Sequence, residues 1–533
     1  AAGNQKATAE FVPLLNVYYN RWQGGATCTP LTGVTISGPT TGYTNTAYAF
    51  HASLTPSDAS PTITYTWDPA PDAGQMSASV TYTWATTGTK IITLAAENCG
   101  GSGSGMDTHT ITIQARGNYR VYLPLILRND VAAPPPSDLV QPGDLTYLGA
   151  FAYPAGDEWA YSGHALAYYP AGDPGSDDRY PGSLYAAGHA HQDLVGEISI
   201  PEPVISDTFD DLPKASVLRP LTDITGGWKD NCTYATDCVY RELDGLEYLP
   251  NVDKIVWNLR DWYNTAGHDQ DSLGWSELDL TGAQGVWHIG DRPSDDDVFH
   301  NAKTSNYLFQ APASFADEHL AGKWLIAGNH REAGALGGSQ GPTLYALAPW
   351  EGGDEPTSGQ NLDALALLYY TEVVECVWEA EGDINENPAP GVCHFPGYRA
   401  MDNWEGGVWV ETASKSGILI FGRKGLGDNC YGSTDVCGDD PCAPSSGYHA
   451  YPYEPQILFY DPEGLKEVLA DAREPWEVLP YEAYSPAVVL GGECAILGAT
   501  AYDREHGFIY VAEREAGLFG ETVVHVWQVE SEK

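Results

Sequence analysis

The chain has 533 residues, of which 72 are acidic, 26 are basic and 43% are hydrophobic, for a formal net charge of -46. That length fills two to four domains with at least one sizeable core, and the charge repels nucleic-acid backbones and anionic membranes over most of the surface. Neither is expected as a partner, and no apolar run is long enough to insert in a bilayer.

The N-terminal stretch 1–27 is expected to form an extended arm. It contains FVPLLNVYYN, in which Phe11, Val12, Pro13, Leu14 and Leu15 repeat the pattern of Tyr122, Leu123, Pro124, Leu125 and Ile126 further on. Proline cannot donate to a β ladder, so each copy reads as an apolar edge strand. One copy can complete its own domain, and the other is then free to add to a neighbour's sheet edge and link subunits.

Residues 28–115 alternate apolar with Thr, Ser and Gly in short, turn-punctuated runs, the pattern of a β-sandwich. Within it Trp67, Tyr82, Trp84, Gly88 and the run from Ile91 to Ala95 resemble the end of a polycystic-kidney-disease-type (PKD) immunoglobulin-like domain, although DPAPDAG stands where a Gly-Asp-Gly turn belongs. The resemblance implies an extracellular spacer or adhesive module. A strand and the Pro-rich linker VAAPPPSDLVQPGD then occupy 116–143. The paired Pro-Leu segments are also similar to a terminal strand motif of exported proteins of filamentous green bacteria.

From 144 to 533 the sequence repeats. SLYAAGHA, KIVWNLRD, KWLIAGNH, GILIFGRK and GFIYVAER each stand second in a run of strand-like segments, the mark of enlarged β-propeller blades. Five repeats point to five blades, with six as the alternative. The fifth repeat lacks a fourth strand, and LTYLGAFAYP at Leu145 can supply it and close the ring. The expected fold is all-β, an immunoglobulin-like sandwich followed by a propeller.

Aligned second strands end in polar groups, and their loops open on the face where propellers usually hold ligands. The expected ligand site gathers His189, Arg260, Asn329, His330, Arg423 and Arg514 from these ends. His164 joins it from the start of a first strand, and Trp228, Trp262 and Trp404 are candidate stacking surfaces for sugar rings. Asp244, Glu405 and Glu513 are the carboxylates from which a glycosidase would draw its acid and base.

His189, His191 and Asp193 form the weak metal candidate. No cofactor is expected; Ca²⁺ is the ion the acidic loops at Asp173 and Pro293 would suit. Ten cysteines without zinc-finger spacing suggest disulfides: Cys28 with Cys99, Cys232 with Cys238, Cys376 with Cys393, and three alternative pairings among Cys430, Cys437, Cys442 and Cys494. The reading that follows is a secreted surface protein, structural or adhesive, that self-associates or binds extracellular glycans. The alternative is a secreted glycan-active enzyme.

Overall fold

Strands buried on both faces read as unbroken apolar runs, and GILIFG and LYAA are such runs. The computed structural model describes residues 29–43, 47–57, 59–60, 63–71, 74–99, 105–114, 138–173, 179–230, 241–261, 269–292, 298–299, 306–329, 339–350, 355–371, 384–385, 393–443, 447–517 and 520–530. It divides into two compact units, 1–122 and 123–533. The expected assembly segments at Phe11 and Tyr122, together with Trp262 and His330, lie outside the described residues.

The first unit is a β-sandwich. Gly33–Ser37, Ala47–Thr55 and Ser79–Thr83 form one sheet; Thr41–Tyr43, Met106–Gln114, Gly88–Glu97 and Thr64–Asp68 form the other. Alternation along each strand sends Phe50, Trp67, Tyr82, Ile92 and Ile111 into a common core. The buried Trp67 and Tyr82 satisfy their polar tips on backbone carbonyls, Nε1 to Ser77 at 3.0 Å and the hydroxyl to Pro69 at 2.7 Å.

The second unit is a β-propeller. Its first sheet runs Leu166–Tyr169, Ser183–Ala187, Val195–Ser199, Val217–Thr222, and its second Arg241–Leu249, Lys254–Asp261, Leu273–Ser276, Gln284–Ile289, with the short Asn361–Leu362 added parallel at its edge. The third runs Leu308–Gln310, Leu325–Ala327, Leu344–Leu347, Ala364–Leu368, and the fourth Asn403–Glu411, Ser416–Gly425, Tyr453–Tyr460, Glu482–Tyr484. A fifth sheet has Ile496–Asp503, Phe508–Arg514 and Val523–Gln528, and its fourth strand comes from upstream: Thr146–Ala152 pairs antiparallel with Val523–Gln528. The first strands of successive sheets pack side by side, and that of the first sheet also packs against that of the fifth, so the cycle closes. Closure removes the exposed edges that would otherwise invite pairing with other chains.

The clusters between sheets are apolar and buried, with Trp257, Trp287, Trp404 and Trp409 among the largest enclosed side chains. Two disulfides, Cys430–Cys437 and Cys442–Cys494, fix one of the three pairings left open by the sequence. Cys99 and Cys393 are also disulfide-bonded. Cys28 and Cys376, their expected partners, lie outside the described residues, as do Cys232 and Cys238.

Candidate functional site

The first strands of three of these sheets carry an irregularity near their starts. In the second sheet the register passes from Leu243 opposite Leu259 to Gly245 opposite Asn258, which leaves Asp244 outside the ladder. In the fourth it passes from Trp404 opposite Gly422 to Gly406 opposite Phe421, which does the same for Glu405. The fifth shifts between Leu497 and Thr500. A bulge re-aims its side chain, and here it turns two carboxylates toward the axis.

The glycine after each carboxylate lets the neighbouring strand come close. A Cβ on Gly245 would overlap the carbonyl oxygen of Asn306, and one on Gly406 would overlap that of Gly498. The result is a constricted collar, enclosing a cavity of about 20 Å³ lined by His164, Asp244, Arg260, Asn306, Glu405 and Arg514. Such a space holds a water molecule or two and no sugar ring.

Ion pairs and amide hydrogen bonds tie most of these side chains together, while Glu405 Oε2, Arg514 Nε and both ring nitrogens of His164 are buried without a hydrogen-bond partner among the described residues. Arg260 pairs with both Asp244 and Glu242, and Asn306 Nδ2 donates to Asp244 Oδ2 at 2.6 Å. Arg514 Nη1 donates to Glu405 Oε1 at 2.6 Å, and Asn403 Nδ2 donates to the same oxygen at 2.6 Å. Burial alone would lower the Arg260 and Arg514 guanidinium groups; Asp244 and Glu242 outweigh it at the first and Glu405 at the second, so both stay firmly charged. The nearly buried His164 sits with Nε2 3.6 Å from Asp193 Oδ1.

Five of the six lining residues were singled out from sequence; Asn306 was missed. It stands just before the first strand of the third sheet, as His164 stands before that of the first, and that alignment was the available signal.

Other expected members lie elsewhere. Trp404 is fully buried and packs edge-on against Phe395, while the register shift after it leaves Glu405 to line the small cavity. Glu513 lies apart from the other two carboxylates. It is fully buried away from the cavity, accepting from Leu490 N and Gly491 N and paired with His525 Nε2 at 2.6 Å, so the three carboxylates do not converge.

Arg423 lies 4.2 Å over the Tyr453 ring and donates to the Cys494 carbonyl at 3.4 Å; burial holds its guanidinium below the usual range. Asn329 is buried, with its backbone N–H donating to Thr343 Oγ1, and Trp228 is half-buried beside the core between the first two sheets. His189 and His191 face each other at 5.4 Å between ring centroids, with the His191 N–H donating to His189 Nδ1. Asp193 turns from them to accept from Leu243 N at 3.2 Å, since its buried carboxylate needs that donor. Among the described residues no group of three or more His, Cys, Asp or Glu side chains could hold a metal ion.

No protein-family profile and no curated protein matches the chain. Among solved structures it is similar to the PKD domain of an M14-like peptidase from a Thermoplasmatales archaeon, at 21% identity and TM-score 0.14 over 16% of this chain and 98% of that one. It is also similar to a quinonprotein alcohol dehydrogenase-like protein from Bacteroides thetaiotaomicron, at 9% identity and TM-score 0.23 over 93% and 92% of the two chains. A Trypanosoma rangeli sialidase in complex with sialic acid matches at 8% identity and TM-score 0.24, over 94% of this chain and 54% of that one. The fold assignment rests on the strand pairings themselves. Among the described residues no helix is long and apolar enough to cross a membrane.

Proposed function

We propose that the chain is a five-bladed propeller protein of the extracellular surface, structural or adhesive, with its sandwich unit as a spacer. The observation that carries this reading is the tied collar. Glycosidic chemistry needs an acid and a base exposed to substrate on either side of a bond. Here Asp244 is engaged by Arg260 and Asn306, and Glu405 by Arg514 and Asn403, around a cavity of about 20 Å³. A scaffold tolerates a plugged axis, and an enzyme of that kind does not. Disulfides at Cys430–Cys437 and Cys442–Cys494 favour an oxidising compartment.

Self-association through the N-terminal arm completes the proposal. Phe11 to Leu15 would add as a strand to a neighbouring copy, satisfying main-chain hydrogen bonds and filling apolar pockets together. Deleting residues 1–22 is expected to leave monomers by light scattering and electron microscopy; a truncated protein that still polymerises refutes strand donation. Incubation with plant and microbial glycans is expected to release no reducing sugar, and release would overturn the non-enzymatic reading.

A further inference from the structure

The far ends of the same first strands build a different environment. Each strand that begins at the collar ends at a turn into its second strand, and in the third sheet that turn is enlarged by a helix, Ala313–His319. The helix and the turns of the second, fourth and fifth sheets wall a cavity of about 670 Å³. Small-molecule sites range from roughly 300 to 1,000 Å³, so this space is of binding size where the collar is not.

Its lining is mixed in a specific way. Pro and Ala side chains and the half-buried Trp324 supply apolar surface; Ser314 Oγ donates to Glu411 Oε2 at 3.3 Å and Thr412 Oγ1 to the Lys415 carbonyl at 3.3 Å, which leaves the Ser314 oxygen and the Glu411 carboxylate as acceptors facing the space. The positive charge at the site, Arg504, is already engaged: Nη1 donates to the Trp409 carbonyl at 3.0 Å, Nη2 donates to the Gln310 carbonyl, and the guanidinium lies 5.1 Å from the Tyr502 ring. Gln310 is fixed in turn, its Nε2 donating to Glu247 Oε1 and to the Tyr248 carbonyl at 3.0 Å. Arg504 thus holds the turns of three sheets in place.

We infer that this cavity binds a neutral, hydroxyl-rich ligand, one or two pyranose units of an extracellular glycan. An apolar platform flanked by hydrogen-bond acceptors suits a sugar ring, which has one apolar face and a rim of hydroxyl donors. Acidic glycans are disfavoured, because the cation is occupied, Glu411 stands on the rim, and the chain carries a net charge of -46. The site is distinct from the collar and does not depend on the scaffold reading, since binding and reducing-sugar release are measured separately.

Calorimetry on the full chain with cellohexaose, xylohexaose, mannohexaose and chitohexaose, with an oligogalacturonate as the charged comparator, tests it. At least one neutral oligosaccharide is expected to bind. Ala413→Trp and Ser314→Trp, which fill the cavity from two exposed rim positions, should each weaken that binding by about tenfold or more. His191→Ala, exposed at the collar face, should leave it unchanged. The inference is overturned if no neutral member binds, if the oligogalacturonate binds most tightly, or if both tryptophan variants, folded by circular dichroism, bind as the parent does.

Discussion

Removing Arg514 from the collar should destabilise the propeller far more than removing an ordinary surface arginine. The Arg514 side chain is 22% exposed and its partner Glu405 8% exposed, with 2.6 Å between Nη1 and Oε1. In Arg514→Met the carboxylate stays buried with Asn403 as its remaining donor; breaking a buried pair costs about 3–5 kcal/mol, and the partial exposure of the arginine places the expected loss near the lower bound, about 3 kcal/mol. Glu405→Gln should cost less, about 2 kcal/mol, because Arg514 can turn toward water. The double variant removes both charges and should cost about 2 kcal/mol, giving a coupling of roughly 3 kcal/mol. Unfolding in urea, followed by tryptophan fluorescence, reads these differences as rates. Arg514→Met should unfold roughly a hundredfold faster if the pair is broken at the transition state. Additive single variants, with coupling below about 0.5 kcal/mol, would mean that the pair is solvated and the collar open, and the argument against an axial active site would fall.

Gly406→Ala should cost about 1–3 kcal/mol through its overlap with the Gly498 carbonyl, whereas Gly143→Ala, with nothing near its added methyl, should be close to neutral; equal melting temperatures for the two would refute the constriction. Glu247, desolvated beside Gln310, has its carboxyl raised to about 7, so the folded state holds a proton that the unfolded chain gives up near pH 4.5. Its contribution is full below pH 4.5 and is lost as pH rises through about 7, by about 3 kcal/mol at most; Glu247→Gln should flatten that slope in urea midpoints measured across the interval. Replacing Cys442 and Cys494 by serine opens a loop closed at a separation of 52 residues and should cost about 4 kcal/mol, read as a lower urea midpoint; an unchanged midpoint refutes a stabilising role.

Much of the propeller was legible because its inner strands are apolar end to end and change abruptly to charged groups at the axis, as in KIVWNLRD and GFIYVAER. The missing fourth strand of the last repeat was legible from position: Leu145 to Pro154 is a strand-like segment lying just before the first repeat. The interior of the collar is only partly legible. Polar residues at the starts of first strands point to Asp244 and Glu405, yet their partners and the burial of Trp404 follow from bulges that no residue type announces. Glu513 and Arg514 are adjacent in sequence, but strand alternation sends one into a buried His525 contact and the other to the axis. The larger cavity was not legible at all, since it depends on a seven-residue helix set between two strands of the third sheet.

Pairing Thr146–Ala152 with Val523–Gln528 also orders events during synthesis. A ribosome delivers the upstream ribbon early, and that ribbon must wait for a mate that emerges after every other sheet has been made. A product cut short before Val523 keeps two sticky borders, one at each side of an unfinished wheel, and would be a substrate for proteases and chaperones before it could reach any destination.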